Sequence, residues 1–478
     1  MANLQFQIDR SDSKPIYEQI AGQVRRLIGD SDLLDGDSLP TVRKLATQLG
    51  VSRLTAFKAY AELQKDGLIE SRVGRGTVVR LRAPGWTSQH DGPFLDESSL
   101  MGHEEQWEQM DVLSLATALP DPSLFPHDVF LECLHSLRSS GPWAFSSAPA
   151  EGEQALREQW ARTMHHLASH WTASDMLVTS GLVTGQLLAI SCLAGAGKGV
   201  AVQDPTWIGA HKQIERTGAR PYPVAHTESG LDTDQLKELA SQRMISLLLL
   251  TPDHSWGNGL SLPVENRTDI LSIADHYGIH VLESVGHSRI HFAGKQLACM
   301  AELSNGSELV LSDFDLCSCL SAGIGMGVVA AKGAALESLR SAIQMAPAPA
   351  RPMQLAMAKF LAADELESHF GRAVPTYRSR KEAMVRALKS SLPAGLKWTE
   401  PTGGYVLMLD LPAGVDATAV QKDALPAGLS IVPGSACSML PRFDSAVRLS
   451  YAMLPAEKII RAVVSFGRLL KERQIARN

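Results

Sequence analysis

Several things are scarce in this chain of 478 residues, and each scarcity removes a class of protein. The six cysteines, at 133, 192, 299, 317, 319 and 437, are too sparse for the disulfide framework of a small secreted domain. No apolar run reaches the roughly eighteen residues a membrane-spanning helix needs. The stretch from Met1 to Lys14 is polar and has no apolar signal core, so cytoplasm is the expected location and no membrane partner is expected. No lysine or arginine lies between Lys295 and Lys332. What remains, 45% hydrophobic and 20% charged, is ordinary globular composition with room for several domains.

The strongest local pattern runs from Leu39 to Val79. Thr41 can cap a helix to Leu49 with Val42, Leu45, Ala46 and Leu49 on its apolar face. Gly50 ends that helix, Val51 crosses the turn, and Ser52 can cap a second helix through Lys65. Gly67 closes it, and two strands, Leu68–Arg72 and Thr77–Arg80, flank a glycine-rich tip. Upstream, Pro15 opens a helix carrying Ile16, Ile20, Val24, Leu27 and Ile28 at helical spacing, with Arg25 and Arg26 on a solvated face. From Leu39 to Arg82 nine basic residues face three acidic ones, a local surplus in a chain of net charge −6. A basic island in an acidic chain is the footprint of phosphate contact.

Those residues carry a resemblance. Pro15-Ile16-Tyr17-Glu18-Gln19-Ile20, Leu34 through Arg43, Gly50-Val51-Ser52-Arg53, Ala59-Tyr60, Gly67-Leu68-Ile69 and Gly74-Arg75-Gly76-Thr77 resemble the winged helix of GntR-type transcription regulators. The resemblance implies a double-stranded DNA operator as partner. It implies contacts from Arg43, Ser52, Arg53, Thr55, Lys58 and the wing tip at Gly74, Arg75 and Gly76. Arg53 either reads guanine or holds phosphate. Leu54, Phe57, Tyr60, Ala61 and Leu63 are expected in the core rather than at the DNA.

Residues 83–111 read as a linker with a short helix near Glu104–Met110. Beyond it strands and helices alternate: strands at Met176–Thr179, Gly199–Val202, Ile245–Leu250, His280–Leu282, Ser307–Leu311 and Gly327–Ala330, with a helix from Ser180-Gly181 to Leu193. Alternation of this kind predicts an α/β domain with a mostly parallel sheet. Helices over Met353–Phe370 and Ala373–Leu388 and strands at Tyr405–Leu411 and Val447–Ala452 then predict a smaller α+β unit.

The order of landmarks is similar to the fold-type-I aminotransferase body of the MocR branch of GntR regulators. They are Leu119 through Pro126, Gly152 with Ala155-Leu156-Arg157-Glu158, Thr179-Ser180-Gly181, Asp204-Pro205-Thr206-Trp207, Thr251-Pro252-Asp253-His254 with Gly259, Pro433-Gly434-Ser435 and Val447-Arg448-Leu449. The expected architecture is a winged helix-turn-helix (1–82), a linker (83–111), an α/β aminotransferase-like large domain (112–350), and a helical connection with a small α+β domain (351–478).

Pyridoxal 5'-phosphate, the cofactor this resemblance implies, needs a Schiff-base lysine, an acid for its pyridine nitrogen, a tyrosine for its ring oxygen, and a basic residue with a helix N-terminus for its phosphate. The lysine position falls on Leu316 or, with a shifted gap, Ser318. The acid falls on Ser284, with Glu283 beside it, and the tyrosine on Gly286. No covalently bound cofactor and no transaminase activity are therefore expected. The pocket pieces that remain are Ser180, Gly181, Trp207, His254, Ser284, Leu316, Ser318 and Arg448. By resemblance Arg448 meets a substrate carboxylate; as a strand arginine it equally serves a structural ion pair. Cys317 and Cys319 flank the lost lysine as a thiol sensor or as small core residues. His276, His280, His287 and His291 do not fall on one helical face, which argues against zinc, and Lys198 lacks the phosphate-loop spacing.

The reading is a DNA-binding regulator whose body serves homodimerisation and the sensing of an amino-acid or vitamin-B6-like effector. Three alternatives stand beside it: a regulator holding pyridoxal phosphate without the family lysine, an active aminotransferase, and a structural nucleic-acid-binding protein.

Overall fold

The computed structural model describes residues 6–10, 12, 14–29, 33, 37–66, 68–72, 76–79, 112–346, 348–393, 395–412 and 414–475. The expected linker with its short helix, Gly67, and the wing-tip residues Gly74 and Arg75 lie outside them.

In the N-terminal head, helix α1 (Ile16–Gly29) packs on α3 (Arg53–Lys65) and α2 (Val42–Leu49) completes the helical layer. Thr41 accepts the Lys44 N–H at 3.3 Å, and Gly50 takes the left-handed conformation at φ 60° that lets the chain turn sharply. Ser52 accepts the Thr55 N–H at 3.0 Å and starts α3. Strands β2 (Ile69–Arg72) and β3 (Gly76–Val79) pair antiparallel, and β1 (Ser38–Leu39), which the sequence pattern did not predict, adds to β3. This is a helix-turn-helix with a wing.

Two expectations fail here. Leu54 and Phe57 are not core: they are 63% and 58% exposed, because the buried stripe of α3 is Ala56, Ala59, Tyr60 and Leu63. Arg25 is not on a solvated face either. It pairs with Asp66 at 2.5 Å, and Arg220 in the body donates to the Asp66 carbonyl at 2.8 Å. The last turn of α3 is thus tied both to α1 and to the body.

Past the head, the short strand β4 (Leu113–Ser114) pairs parallel with β14 (Leu429–Ser430), and the body itself is built on an eight-stranded sheet. Its strands are β5 (Met176–Thr179), β6 (Gly199–Asp204), β7 (Arg220–Thr227), β8 (Gly230–Leu231), β9 (Leu247–Leu250), β10 (His280–Ser284), β11 (Val310–Asp315) and β12 (Gly327–Ala330). Their order is β5-β12-β11-β10-β9-β6-β7-β8, with the run from β11 to β7 parallel and the flanking strands antiparallel. β5, β6, β9, β11 and β12 are buried along their whole length, as a sheet covered on both faces requires. β11 runs through Ser312, Asp313 and Asp315, further than the expected Ser307–Leu311. Two acids in a fully buried strand read, from pattern alone, as a loop. β7 contains Pro221 and Pro223 and was missed for the same kind of reason.

Helix α4 (Leu182–Leu193) follows β5 directly, and the short helix α5 (Met300–Leu303) lies between β10 and β11. Two long helices, α6 (Arg351–Ala362) and α7 (Glu365–Ser391), lead to the small domain. The break between them is at Asp364, which has φ 56° and pairs with Arg162 at 2.7 Å, rather than near Gly371 as the pattern suggested. The smaller unit pairs β13 (Val406–Asp410), β16 (Ala446–Ser450) and β15 (Val432–Pro433), covered by the C-terminal helix Ala456–Ile475 that packs on α7. No described helix is long and apolar enough to cross a membrane.

Candidate functional site

Two regions carry chemistry. The first is the outer face of the head. Arg43, Ser52, Arg53 and Lys58 are all exposed, while Thr55 is half-buried and its hydroxyl meets the Ser52 hydroxyl at 2.8 Å. Lys58 places its ammonium 5.9 Å from the centre of the Tyr17 ring. Gly76 begins β3 opposite Arg72. Of the expected contacts, Arg43 lies on α2, and Ser52, Arg53, Thr55 and Lys58 lie at the start of α3 or along it. Sequence reasoning missed the two exposed apolar side chains among them, Leu54 and Phe57.

The second region lies where β10, β11 and α4 converge. The register of the sheet sets Ser284 beside Asp313. The Ser284 hydroxyl donates to Asp313 Oδ2 at 2.9 Å and accepts from Gln186 Nε2, on α4, at 3.1 Å. Burial pushes the Asp313 carboxyl well above the usual carboxylate range. Two residues further along β11, on the same face, Asp315 reaches the start of α4. A Cβ on Gly181 would stand 3.4 Å from Asp315 Oδ1 and from Cys317 Sγ. Burial raises the Asp315 pKa to about 6, against the pull of the Cys317 thiol and the backbone N–H groups of Cys317, Leu182 and Ser318, which hold its charged form. The Asp315 carboxylate thus caps its own turn through Cys317 N at 3.2 Å and also faces the first N–H of α4, at the end of a helix that favours negative charge.

Leu316 is fully buried within the main hydrophobic cluster. Ser318 donates to the Asp315 carbonyl at 2.8 Å, and a Cβ on Gly286 would lie only 2.3 Å from Ser318 Oγ. A side chain at 286 would therefore have to displace the Ser318 hydroxyl and press on the Asp315 carbonyl. Glu283 points elsewhere: its carboxylate accepts from Met300 N at 2.7 Å, Ala301 N at 2.8 Å and Ser312 Oγ at 2.8 Å, capping α5. Burial pushes the Cys317 and Cys319 thiols up, far from the depressed pKa a thiolate sensor requires.

The remaining expected pocket residues do not join this cluster as free groups. Arg448, on β16, is buried and donates to the carbonyls of Ala116 at 2.9 Å and Trp256 at 3.3 Å. His254 is buried, has φ 53°, and approaches His291 at 3.4 Å and Ser261 at 3.2 Å. Burial lowers its pKa to about 4, and lowers that of His287, whose ring centre is 3.8 Å from that of Trp256, to about 3. Ser180 and Trp207 are half-buried. Two clefts of about 490 and 310 Å³ lie elsewhere on the body, lined by none of these residues. Among the described residues no three histidine, cysteine or acidic side chains are arranged to hold a metal ion.

Comparison with known proteins agrees with both halves. The family model for class I and II aminotransferases matches residues 124–466, and that for bacterial regulatory proteins of the gntR family matches residues 16–79. The chain is 25% identical over 468 residues to the uncharacterized HTH-type transcriptional regulator YdcR of Escherichia coli, covering 96% of this chain and 99% of YdcR. It is 26% identical to the HTH-type transcriptional regulator TauR of Rhodobacter capsulatus, covering 91% and 92% of the two chains. Among solved structures, the alpha-aminoadipate aminotransferase LysN of Thermus thermophilus, complexed with N-(5'-phosphopyridoxyl)-L-leucine, matches with a TM-score of 0.71 at 26% identity, over 80% of this chain and 97% of that chain.

Proposed function

The chain belongs to the class I and II aminotransferase family and carries a gntR-type head, and from that premise we propose that it is a sequence-specific DNA-binding transcription regulator whose body has left pyridoxal phosphate chemistry. One observation supports the second half: of the two positions that the resemblance offers for the Schiff-base lysine, Leu316 has no exposed surface and Ser318 is buried, and neither is an amine.

The residues present do not fit the cofactor. Leu316 and Ser318 have no amine to offer. Ser284 is neutral and committed to Asp313. Asp315 places a carboxylate at the helix N-terminus that a phosphate would need, and a dianion there meets like charge in a buried site. Arg448 is held by backbone carbonyls. The expected effector pocket is therefore a closed polar cluster in this reading, and we route no reaction through it.

The body's remaining role is to join two chains and set the geometry of their heads. Trp143 and Phe145, 77% and 76% exposed, and Met345, 90% exposed, supply apolar surface for a second copy. Arg351 ties this region together by donating to the Trp143 carbonyl at 3.0 Å. We place the protein in the cytoplasm, where its DNA is.

Mixing the purified protein with pyridoxal phosphate, reducing with borohydride and weighing the intact chain tests the loss of chemistry. With one equivalent of pyridoxal phosphate and the unfolded chain as the control for random modification of surface amines, no single-site adduct is the expected result; a stoichiometric adduct on one lysine, Lys295 for example, overturns this part of the reading. The DNA half is tested with Arg53→Ala on an operator selected in vitro. Binding weakens by about tenfold or more, and retained specificity with a shallower salt dependence marks Arg53 as a phosphate contact rather than a guanine reader.

A further inference from the structure

The head exposes an apolar ridge in the midst of basic charge. α3 buries Ala56, Ala59, Tyr60 and Leu63 against α1 and α2, and so turns Arg53, Leu54, Phe57 and Lys58 outward. Leu54 and Phe57 are three residues apart, hence neighbours on the helix surface, and both are more than half exposed. They lie in the first two turns, the part of a recognition helix that meets base edges. Side chains of this size forgo a substantial burial energy in the free protein, and nothing in the fold of the head requires them.

The charges around the ridge restrict its occupant. Arg53 precedes it, Lys58 follows it, and Arg43 and Lys44 of α2 are exposed on the neighbouring helix. An apolar protein partner would leave these cations facing a surface without complement, whereas a polyanion neutralises them. Within the major groove of a duplex one apolar group projects from the base edges, the 5-methyl of thymine. We propose that Leu54 and Phe57 read thymine methyl groups, so that the operator carries thymines at the positions facing the first two turns of α3. The inference rests on the reading of the head as a DNA-binding unit and adds a specificity that none of its polar residues supplies.

The test uses the full chain. Duplexes are enriched from a randomised pool, and each thymine of the enriched operator is replaced singly by uracil, which removes the methyl and leaves every hydrogen-bonding edge intact. At one or two positions per half-site, affinity falls by about fourfold, the worth of one buried methyl-sized group. Phe57→Ala weakens the thymine duplex by a similar factor but no longer distinguishes it from the uracil duplex, and its salt dependence is unchanged. Phe57→Leu keeps the discrimination. Because Phe57 is exposed, these variants fold, which circular dichroism verifies. Equal affinity for thymine and uracil duplexes at every position overturns the inference, as does a Phe57→Ala loss that is the same on both. A change in oligomeric state without a change in methyl discrimination assigns the ridge to a second copy of the chain and also overturns it. A pool that never enriches overturns the DNA reading itself and this inference with it.

Discussion

Glu283→Ala lowers folding stability by about 3 kcal/mol or more. Glu283 is fully buried at the end of β10, next to the position from which the aminotransferase resemblance takes its pyridine-pairing acid. Its carboxylate instead receives three hydrogen bonds, two from the first N–H groups of α5 and one from Ser312 on β11. Removing it leaves those three donors unsatisfied in a site water does not reach, and it uncaps a helix. Urea denaturation of the variant and the parent measures the difference. Were Glu283 instead a cofactor acid held in reserve, its removal would leave the midpoint nearly unchanged, and that result refutes the structural role assigned here.

Asp315→Asn tests the carboxylate at the start of α4 through pH. In the folded chain this group titrates at about 6, raised chiefly by burial, whereas an unfolded aspartate titrates near ~3.9. A raised acid binds its proton more tightly when folded. The stability it contributes is complete below the unfolded pKa and is lost as pH rises through the folded one. Relative to the parent, Asp315→Asn therefore gains on the order of 3 kcal/mol between about pH 4 and about pH 8, on top of a constant offset from altered hydrogen bonds. The comparison must be made between the two proteins at each pH. The parent's own curve mixes in opposite contributions: burial lowers His226 to about 3, His254 to about 4 and His287 to about 3, so each loses stability as pH falls below its unfolded value. A difference that stays flat over this range shows that the Asp315 carboxylate is not perturbed.

Much of this was legible in the sequence, and the exceptions share causes. The head could be read because its helix boundaries are chemical events: Thr41 and Ser52 cap, and Gly50 turns. The positions of several body strands followed from apolar runs such as Leu247–Leu250, while their order in the sheet did not. Leu54 and Phe57 were misplaced because hydrophobicity marks a residue for burial only when the partner that buries it is part of the same chain. β11 was cut short because Asp313 and Asp315 are polar, and the pattern does not show what satisfies them when buried: the Ser284 hydroxyl on β10 for one, the Cys317 thiol and N–H with the first N–H of α4 for the other. The gap in basic residues between Lys295 and Lys332 could be seen directly, but the packing of that stretch could not. That Asp315 faces the first N–H of α4, and that the backbone at 286 lies against the Ser318 hydroxyl, are facts of three-dimensional approach.

The contact between Arg220 and Asp66 has a consequence for the nucleic acid. A single guanidinium on β7 grips the carbonyl at the end of α3, while the Asp66 carboxylate holds α1 through Arg25. The pitch of the reading helix is thereby indexed to the body's sheet. In a two-fold pair of such chains, the angle between the two reading helices becomes a property of how the bodies meet. A duplex rotates by roughly 35° per base pair, so inserting one base pair between half-sites turns one groove away from its helix. If the proposed pair forms, the grammar of the operator, meaning how far apart its two words stand, would be spelled by a surface that never touches DNA.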